Sequence, residues 1–175
     1  MTENYAVDMF KVPLLHLKIG DWENKKPILL NMMSKSFDYH TQKNNSIAGT
    51  DNIAIELFLK DELNSFASYF NFKAYRVTMS WFQTAEAGDY HGPHNHSCIG
   101  YSSICYIDYD QDLHSSTEFI SPFNNFLTGE SIHYSPKVDE GSIVFFPSSI
   151  LHYANPNKST KSRSILSFNI AIKND

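Results

Sequence analysis

Three histidines and one arginine are the groups in this chain whose types and spacing could do chemistry together. His94 and His96 stand one residue apart in the stretch G-D-Y-H-G-P-H-N-H-S-C-I-G-Y. In an extended strand, side chains two residues apart project from the same face, so this pair can hold one cation between its imidazoles. A third imidazole is expected from His152, at the end of E-G-S-I-V-F-F-P-S-S-I-L-H. Ser142 to Phe146 reads as a buried strand, Pro147 stops it, and the following loop carries His152 to a strand end. Eleven residues later, Arg163 opens R-S-I-L-S-F-N-I-A-I, an isolated cation at the start of the last apolar strand. Three imidazoles leave positions open on an octahedral ion, as a metal that must also bind oxygen and substrate requires. A guanidinium on the inner face of that last strand would anchor an anion lying across the metal.

Neighbouring residues offer alternatives. His91 could ligate in place of one member of the H-x-H pair, which would then stand behind the metal. Asp89 or Asp108 could supply a carboxylate, although neither has the spacing. Three neutral imidazoles leave a divalent charge uncompensated by protein, which favours anionic co-ligands. The plain structural alternatives are two surface imidazoles in a Gly-Pro loop and a surface cation on an edge strand.

The elements that must position these groups follow from periodicity. Val7 to Ile19 suggests a strand interrupted by Pro13, and His16 within it reads as structural. From Trp22 to His40, Ile28, Leu29, Met32, Met33 and Phe37 recur at helical spacing, with Pro27 at the helix start and both methionines as core filler. The polar segment from Thr41 to Asn52 reads as a loop able to cover a site. Asp51 is placed to cap a second helix whose apolar face is Ile55, Leu59, Leu63, Phe66 and Phe70. After Phe72 the sequence turns to short β-branched and aromatic runs separated by turns. Two helices ahead of six or more antiparallel strands predict a mainly β jelly roll, or double-stranded β-helix, buttressed by N-terminal helices. The expected division is a single domain over 1–175, with 1–72 as the buttress and 73–175 as the barrel.

Composition bounds the function. A hydrophobic fraction of 42%, with 13 Phe and 10 Tyr, suffices for one core. A net charge of -5 and a pI near 5.9 argue against a nucleic-acid surface, and Lys158 and Lys161 read as a solvated loop. Cys98 and Cys105, an odd number of residues apart within one expected strand, would point to opposite faces, so reduced thiols and a cytoplasmic setting are expected. No apolar run approaches a membrane span, and the N-terminus is acidic where a signal peptide would be basic. Specificity is expected in the loops Thr41 to Asn52 and Asp110 to Ser116, with Tyr90, Tyr101 and Trp81 near the mouth. The sequence leaves monomer and homodimer open.

In this order and spacing, His94-x-His96, the strand Y-S-S-I-C-Y-I, the segment ending at His152 and the strand R-S-I-L-S-F-N resemble the iron(II)/2-oxoglutarate-dependent oxygenases. The likeness is to a bacterial and phage branch related to prolyl hydroxylases, and it covers about Val77 to Ile172. It implies Fe(II), 2-oxoglutarate and O2 as cofactor and cosubstrates, and hydroxylation of a small-molecule or peptide substrate with release of succinate and CO2. It further implies His94 and His152 as iron ligands, with His96 where the family usually carries a carboxylate. Arg163, helped by Tyr106, would hold the distal carboxylate of 2-oxoglutarate. Gly88 to His96 and Gly141 to His152 are also similar to the two cupin motifs, which would imply a three-histidine metalloprotein without 2-oxoglutarate. A cupin would carry Glu where Gly100 and Tyr101 stand, and has no use for Arg163. A non-catalytic ligand-binding jelly roll is the remaining alternative.

Overall fold

The computed structural model describes residues 10–36, 46–48 and 51–173. Its elements run β1 (Leu15–Lys18), α1 (Trp22–Ser36), β2 (Ser46–Ala48), α2 (Asn52–Phe58), α3 (Lys60–Phe70), β3 (Ala74–Ala85), β4 (His91–His94), β5 (Tyr101–Asp108), β6 (Glu118–Asn124), β7 (Ser131–Tyr134), β8 (Ser142–Pro147), β9 (His152–Ala154) and β10 (Arg163–Lys173). Six strands form a major sheet in the order β1-β8-β5-β10-β3-β2, and four form a minor sheet in the order β4-β9-β6-β7. All the pairings are antiparallel. Successive strands alternate between the two sheets from β3 to β6 and again from β7 to β10. That is the path of a double-stranded β-helix.

Side-chain alternation divides the major sheet into two cores. Cys105, Ile107, Ile143, Phe145, Leu166 and Phe168 point toward the helices, where Leu29, Ile55, Leu59, Leu63 and Phe66 meet them. Ile104, Tyr106, Val144, Phe146 and Ile165 point into the barrel and pack with Phe119 of the minor sheet. Strands buried on both faces need apolar or small residues at nearly every position, hence continuous runs such as Ser142 to Phe146.

The helices depart from sequence expectation in two places. Pro27 lies inside α1 rather than at its start. The helix begins earlier because the Asp21 carbonyl accepts the amides of Asn24 and Lys25, at 3.2 and 3.1 Å. Pro27 then makes no helical hydrogen bond of its own, and its ring crowds the carbonyl one turn back. The second predicted helix is two, α2 and α3, separated at Leu59, whose φ of -103° and ψ of 25° leave the helical region. The amide of Leu59 still donates to Ile55 O and that of Leu63 to Leu59 O, so the predicted stripe keeps one face and Ile55, Leu59, Leu63 and Phe66 are fully buried. Asp51 caps α2 as expected, its carboxylate accepting the amides of Ile53 and Ala54. Glu62 of α3 accepts from Lys25 Nζ and from the Gly20 amide, tying the two helical layers together.

Two segments read as simple loops or strands behave otherwise. Ser46 to Ala48, inside the expected Thr41 to Asn52 loop, forms strand β2 on the edge of β3. Residues 41–45 and 49–50 of that loop, with Phe37, His40 and Val7 to Met9, lie outside the described residues. The expected N-terminal strand is restricted to Leu15–Lys18.

Gly100 enters β5 at φ +84°, and a Cβ there would stand 2.5 Å from the carbonyl oxygen of Ile170 on the neighbouring strand. Gly100→Ala would combine a left-handed backbone with a backbone clash, and should destabilise the fold by about 2 kcal/mol or more. Urea unfolding of the variant against the parent checks this; an unchanged midpoint would contradict it.

Candidate active site

The register of β4 against β9 sets His94 directly opposite His152. Each ring is oriented by the same local device. His94 Nδ1 lies 2.8 Å from the Gly92 carbonyl oxygen, and His152 Nδ1 lies 2.9 Å from that of Ile150. A carbonyl can only accept, so Nδ1 carries a proton in both rings, and in the neutral ring it is Nε2 that keeps the lone pair. His152 stands at the end of a short strand, as expected, and is its first residue.

His96 does not share a strand with His94. Pro93 supplies no amide to the ladder, the register shifts between His91 and His94, and β4 stops at His94. His96 is brought in from the loop that follows, where its amide donates to Ser148 O at 3.0 Å and its ring lies 5.2 Å from that of Trp81. His96 Nε2 is 3.3 Å from His152 Nε2, and the candidate ligand atoms of His94, His96 and His152 all lie within 4.8 Å of one another. Two nitrogens so spaced can each stand about 2.0–2.3 Å from one cation. Burial, reinforced by the neighbouring imidazoles, draws the pKa of both His96 and His152 down to about 4. Near neutral pH both are unprotonated bases, so the donor set fits a divalent transition metal.

The alternatives to this triad are placed elsewhere. His91 stacks on His94, with centroids 4.0 Å apart and planes 18° apart, and its Nδ1 lies 3.5 Å from Gln83 Nε2. Asp89 closes its own turn by accepting the Glu86 amide, and Asp108 lies 4.0 Å from Lys26. Among the described residues, no carboxylate joins the three-histidine group.

Arg163 occupies the first position of β10 and is buried at 5% exposure. Ile165 and Ser167, two and four residues on, line the cleft beside the histidines, together with Trp81, Gln83, Ile104 and Thr117. Alternation thus puts Arg163 on the same inner wall. One guanidinium nitrogen donates to Ser115 O at 2.7 Å, and no carboxylate among the described residues pairs with it. Burial lowers its pKa, while the nearby Tyr106 and Tyr109 phenols favour its charge. Tyr106 is fully buried, accepts the Thr117 amide at 3.2 Å, and stands edge-on to Tyr109. The free volume beside the triad is about 30 Å³, enough for an ion; an organic cosubstrate must displace lining side chains to enter.

The segment Asp110 to Ser116, expected to carry specificity, sets its Ser115 carbonyl against Arg163. His114 is buried; its Nδ1 accepts the Asp110 amide and its Nε2 donates to Lys161 O, both at 3.0 Å, while its carbonyl accepts from Tyr109 OH. That clamp holds the adjacent Ser115 carbonyl against Arg163. No motif marks His114. Gln83 and Ser167 could have been found by counting in twos from Trp81 and Arg163. Tyr101 is not at the mouth but in the helix-facing core, against Phe66, Phe70 and Phe72. Tyr90 is exposed, and both cysteines are free, Cys98 in a loop and Cys105 buried in β5.

A double-stranded β-helix with a three-imidazole cluster in its mouth and a buried arginine on its inner wall defines a class of metal-dependent oxygenase. The family described as "Putative 2OG-Fe(II) oxygenase" matches residues 79–169, just over half of the chain, and the chain belongs to it. It is accordingly an oxidoreductase that uses Fe(II), 2-oxoglutarate and dioxygen. No protein of curated function matches the chain in sequence. Among solved structures, the α-ketoglutarate-dependent carbocyclase SnoK from nogalamycin biosynthesis superposes with a TM-score of 0.70 at 11% identity, over 91% of this chain and 80% of that one. The viral collagen prolyl hydroxylase of Paramecium Bursaria Chlorella virus-1 gives 0.64 at 14%, over 99% of both chains. The Pseudomonas putida prolyl-4-hydroxylase gives 0.58 at 10%, over 89% and 91%. At such identities the likeness is one of fold.

Two outcomes follow from the site's hydrogen bonding and burial. In the metal-free protein, His96 and His152 remain neutral down to about pH 4, whereas in the unfolded chain they protonate near 6.5. The unfolded state binds protons first, so the stability these residues contribute is complete above about pH 6.5 and is lost as pH falls toward 4. Urea midpoints of the metal-free protein should drop between pH 7 and pH 5, and replacing both histidines with Gln should flatten that change. His114→Ala leaves the Asp110 amide without its side-chain partner and removes one of the two donors to the Lys161 carbonyl, the other being Asn157 Nδ2, and should cost about 1–3 kcal/mol in the same measurement.

Proposed function

We propose that the chain hydroxylates a C–H bond of a small-molecule or peptide substrate, with His94, His96 and His152 as the iron ligands and Arg163 as the anchor for the distal carboxylate of 2-oxoglutarate. The observation that carries the cosubstrate role is the burial of Arg163. Among the described residues Arg163 has one backbone acceptor and no counter-ion; a guanidinium so placed is costly in a protein interior, and a ligand carboxylate arriving along the inner wall relieves that cost. Guanidinium geometry suits a carboxylate held through two parallel bonds. A three-histidine cupin reading leaves this buried charge unexplained.

In the reaction one atom of O2 enters the substrate as hydroxyl and the other enters succinate, as 2-oxoglutarate loses CO2. Bound iron supplies the oxygen activation. The chain's own part is positional. The Gly92 and Ile150 carbonyls fix the orientation of the His94 and His152 rings, so that their Nε2 atoms would be available to hold the metal without reorientation. With imidazole donors alone the metal's charge would be left for anionic ligands to balance; of the two carboxylates of 2-oxoglutarate, one would go to Arg163 and the other would remain for the metal. Tyr106 and Tyr109 wall the guanidinium off from water, which strengthens its hold on an anion. The prolyl hydroxylases and the nogalamycin enzyme of similar fold support a peptide or a small molecule as substrate class without choosing between them. Two free cysteines favour a reducing, cytoplasmic setting, and no described helix is long and apolar enough to cross a membrane.

The test is succinate release from 2-oxoglutarate by Fe(II)-loaded protein, with metal content measured in parallel. Arg163→Leu should weaken 2-oxoglutarate binding by at least about 30-fold while iron is retained. His152→Ala should lose the iron itself. Unchanged cosubstrate affinity in the arginine variant would end the anchor assignment.

A further inference from the structure

The rim of the minor sheet carries three features that the oxygenase site does not use. Among the described residues β7 is the edge strand of its sheet, paired with β6 alone, and all four of its residues are exposed. It contains no proline or lysine to block lateral pairing, and the register shift of this hairpin, between Ile120 and Asn124, lies on the β6 side. The turn joining β6 to β7 holds Phe126 and Leu127 in solvent at 93% and 95% exposure. That turn is braced. Asn125 Oδ1 accepts the amides of Leu127 and Thr128, the Gly129 amide donates to Asn125 O, and the Asn125 amide donates to Glu130 O. At the base of the same hairpin lies an apolar groove of about 340 Å³, lined in part by Val12, Pro13, Phe119, Pro122, Ile132 and Tyr134.

We propose that this hairpin is the interface of a homodimer. Two copies related by a two-fold axis lie antiparallel along β7, and the Phe126–Leu127 tip of each fills the apolar groove at the base of the other's hairpin. Knob and groove sit at opposite ends of one element, so a two-fold axis between them satisfies both contacts at once. The area agrees. Phe126 and Leu127, with Phe10, Phe123, Ile132 and Tyr134 exposed at 39% to 68%, present on the order of 800 Å² per copy, the share each partner gives to a stable interface. Phe10 already stacks on Phe123 at 5.2 Å, extending the apolar rim. A lipid surface fits poorly: residues 118–134 contain Glu118 and Glu130 but no Lys or Arg to meet anionic headgroups.

Sedimentation equilibrium of the full chain over a range of concentrations, with hydrogen exchange of the β7 amides, tests the proposal. The parent should reach twice the 20.0 kDa chain mass, with β7 protection rising with concentration. The double variant Phe126→Ser, Leu127→Ser should dissociate at least about 100-fold more readily, lose that protection, and retain 2-oxoglutarate turnover. Both side chains are solvated in the single chain, so the variant has no core to lose. A parent that stays at 20.0 kDa, a dimer that survives the double variant unchanged, or tip-dependent binding to phosphatidylcholine vesicles would each overturn it.

Discussion

The antiparallel pairing of β4 with β9 is the constraint on which the site rests. It sets His94 against His152 across one rung, in a minor sheet that exists only because the chain rolls over the major one. Each of these rings is then fixed by a carbonyl two residues upstream, so the ladder and the tautomer come from the same backbone. His96 joins through a bond to Ser148, which itself sits between β8 and β9. A shift of one residue in this pairing would turn the rings to the other face.

Around that pairing the protein concentrates groups that would be more stable in water. Two imidazoles are held neutral by burial, and a guanidinium is enclosed with a single acceptor. The larger helix-facing core, with Phe66 stacked on Phe145 and ringed by Phe70, Phe72 and Tyr101, supplies the apolar burial that offsets this. The period of two along β5, β8 and β10 separates the two tasks. One face of each strand is apolar packing, and the other carries the barrel interior and its chemistry.

Much of this was legible in the chain. The strand runs after Phe72, the cap at Asp51 and the stripe from Ile55 to Phe66 follow from patterns confined to a few turns or rungs, and such patterns act locally. Other features were hidden. The start of α1 before Pro27, the break at Leu59 and the inward turn of Tyr101 depend on which neighbour each residue packs against. His114 was invisible because, although Asp110 meets it within its own turn, Lys161 meets it only when two loops converge, and neither spacing nor residue type announces that.

By itself, the sequence determined residue type and order: an H-x-H pair, a later histidine, an arginine opening the last strand, and the alternation that makes strands of the segments between them. Tertiary structure decided how those residues were brought together. His96 reaches the cluster from a loop and not from the strand face it was expected to share, and Arg163 is met by the Ser115 carbonyl of a loop for which only a part in specificity was expected. Local patterns are set by backbone geometry over a few residues. Convergence across 56 positions depends on sheet register and closure, which no short stretch of chain encodes.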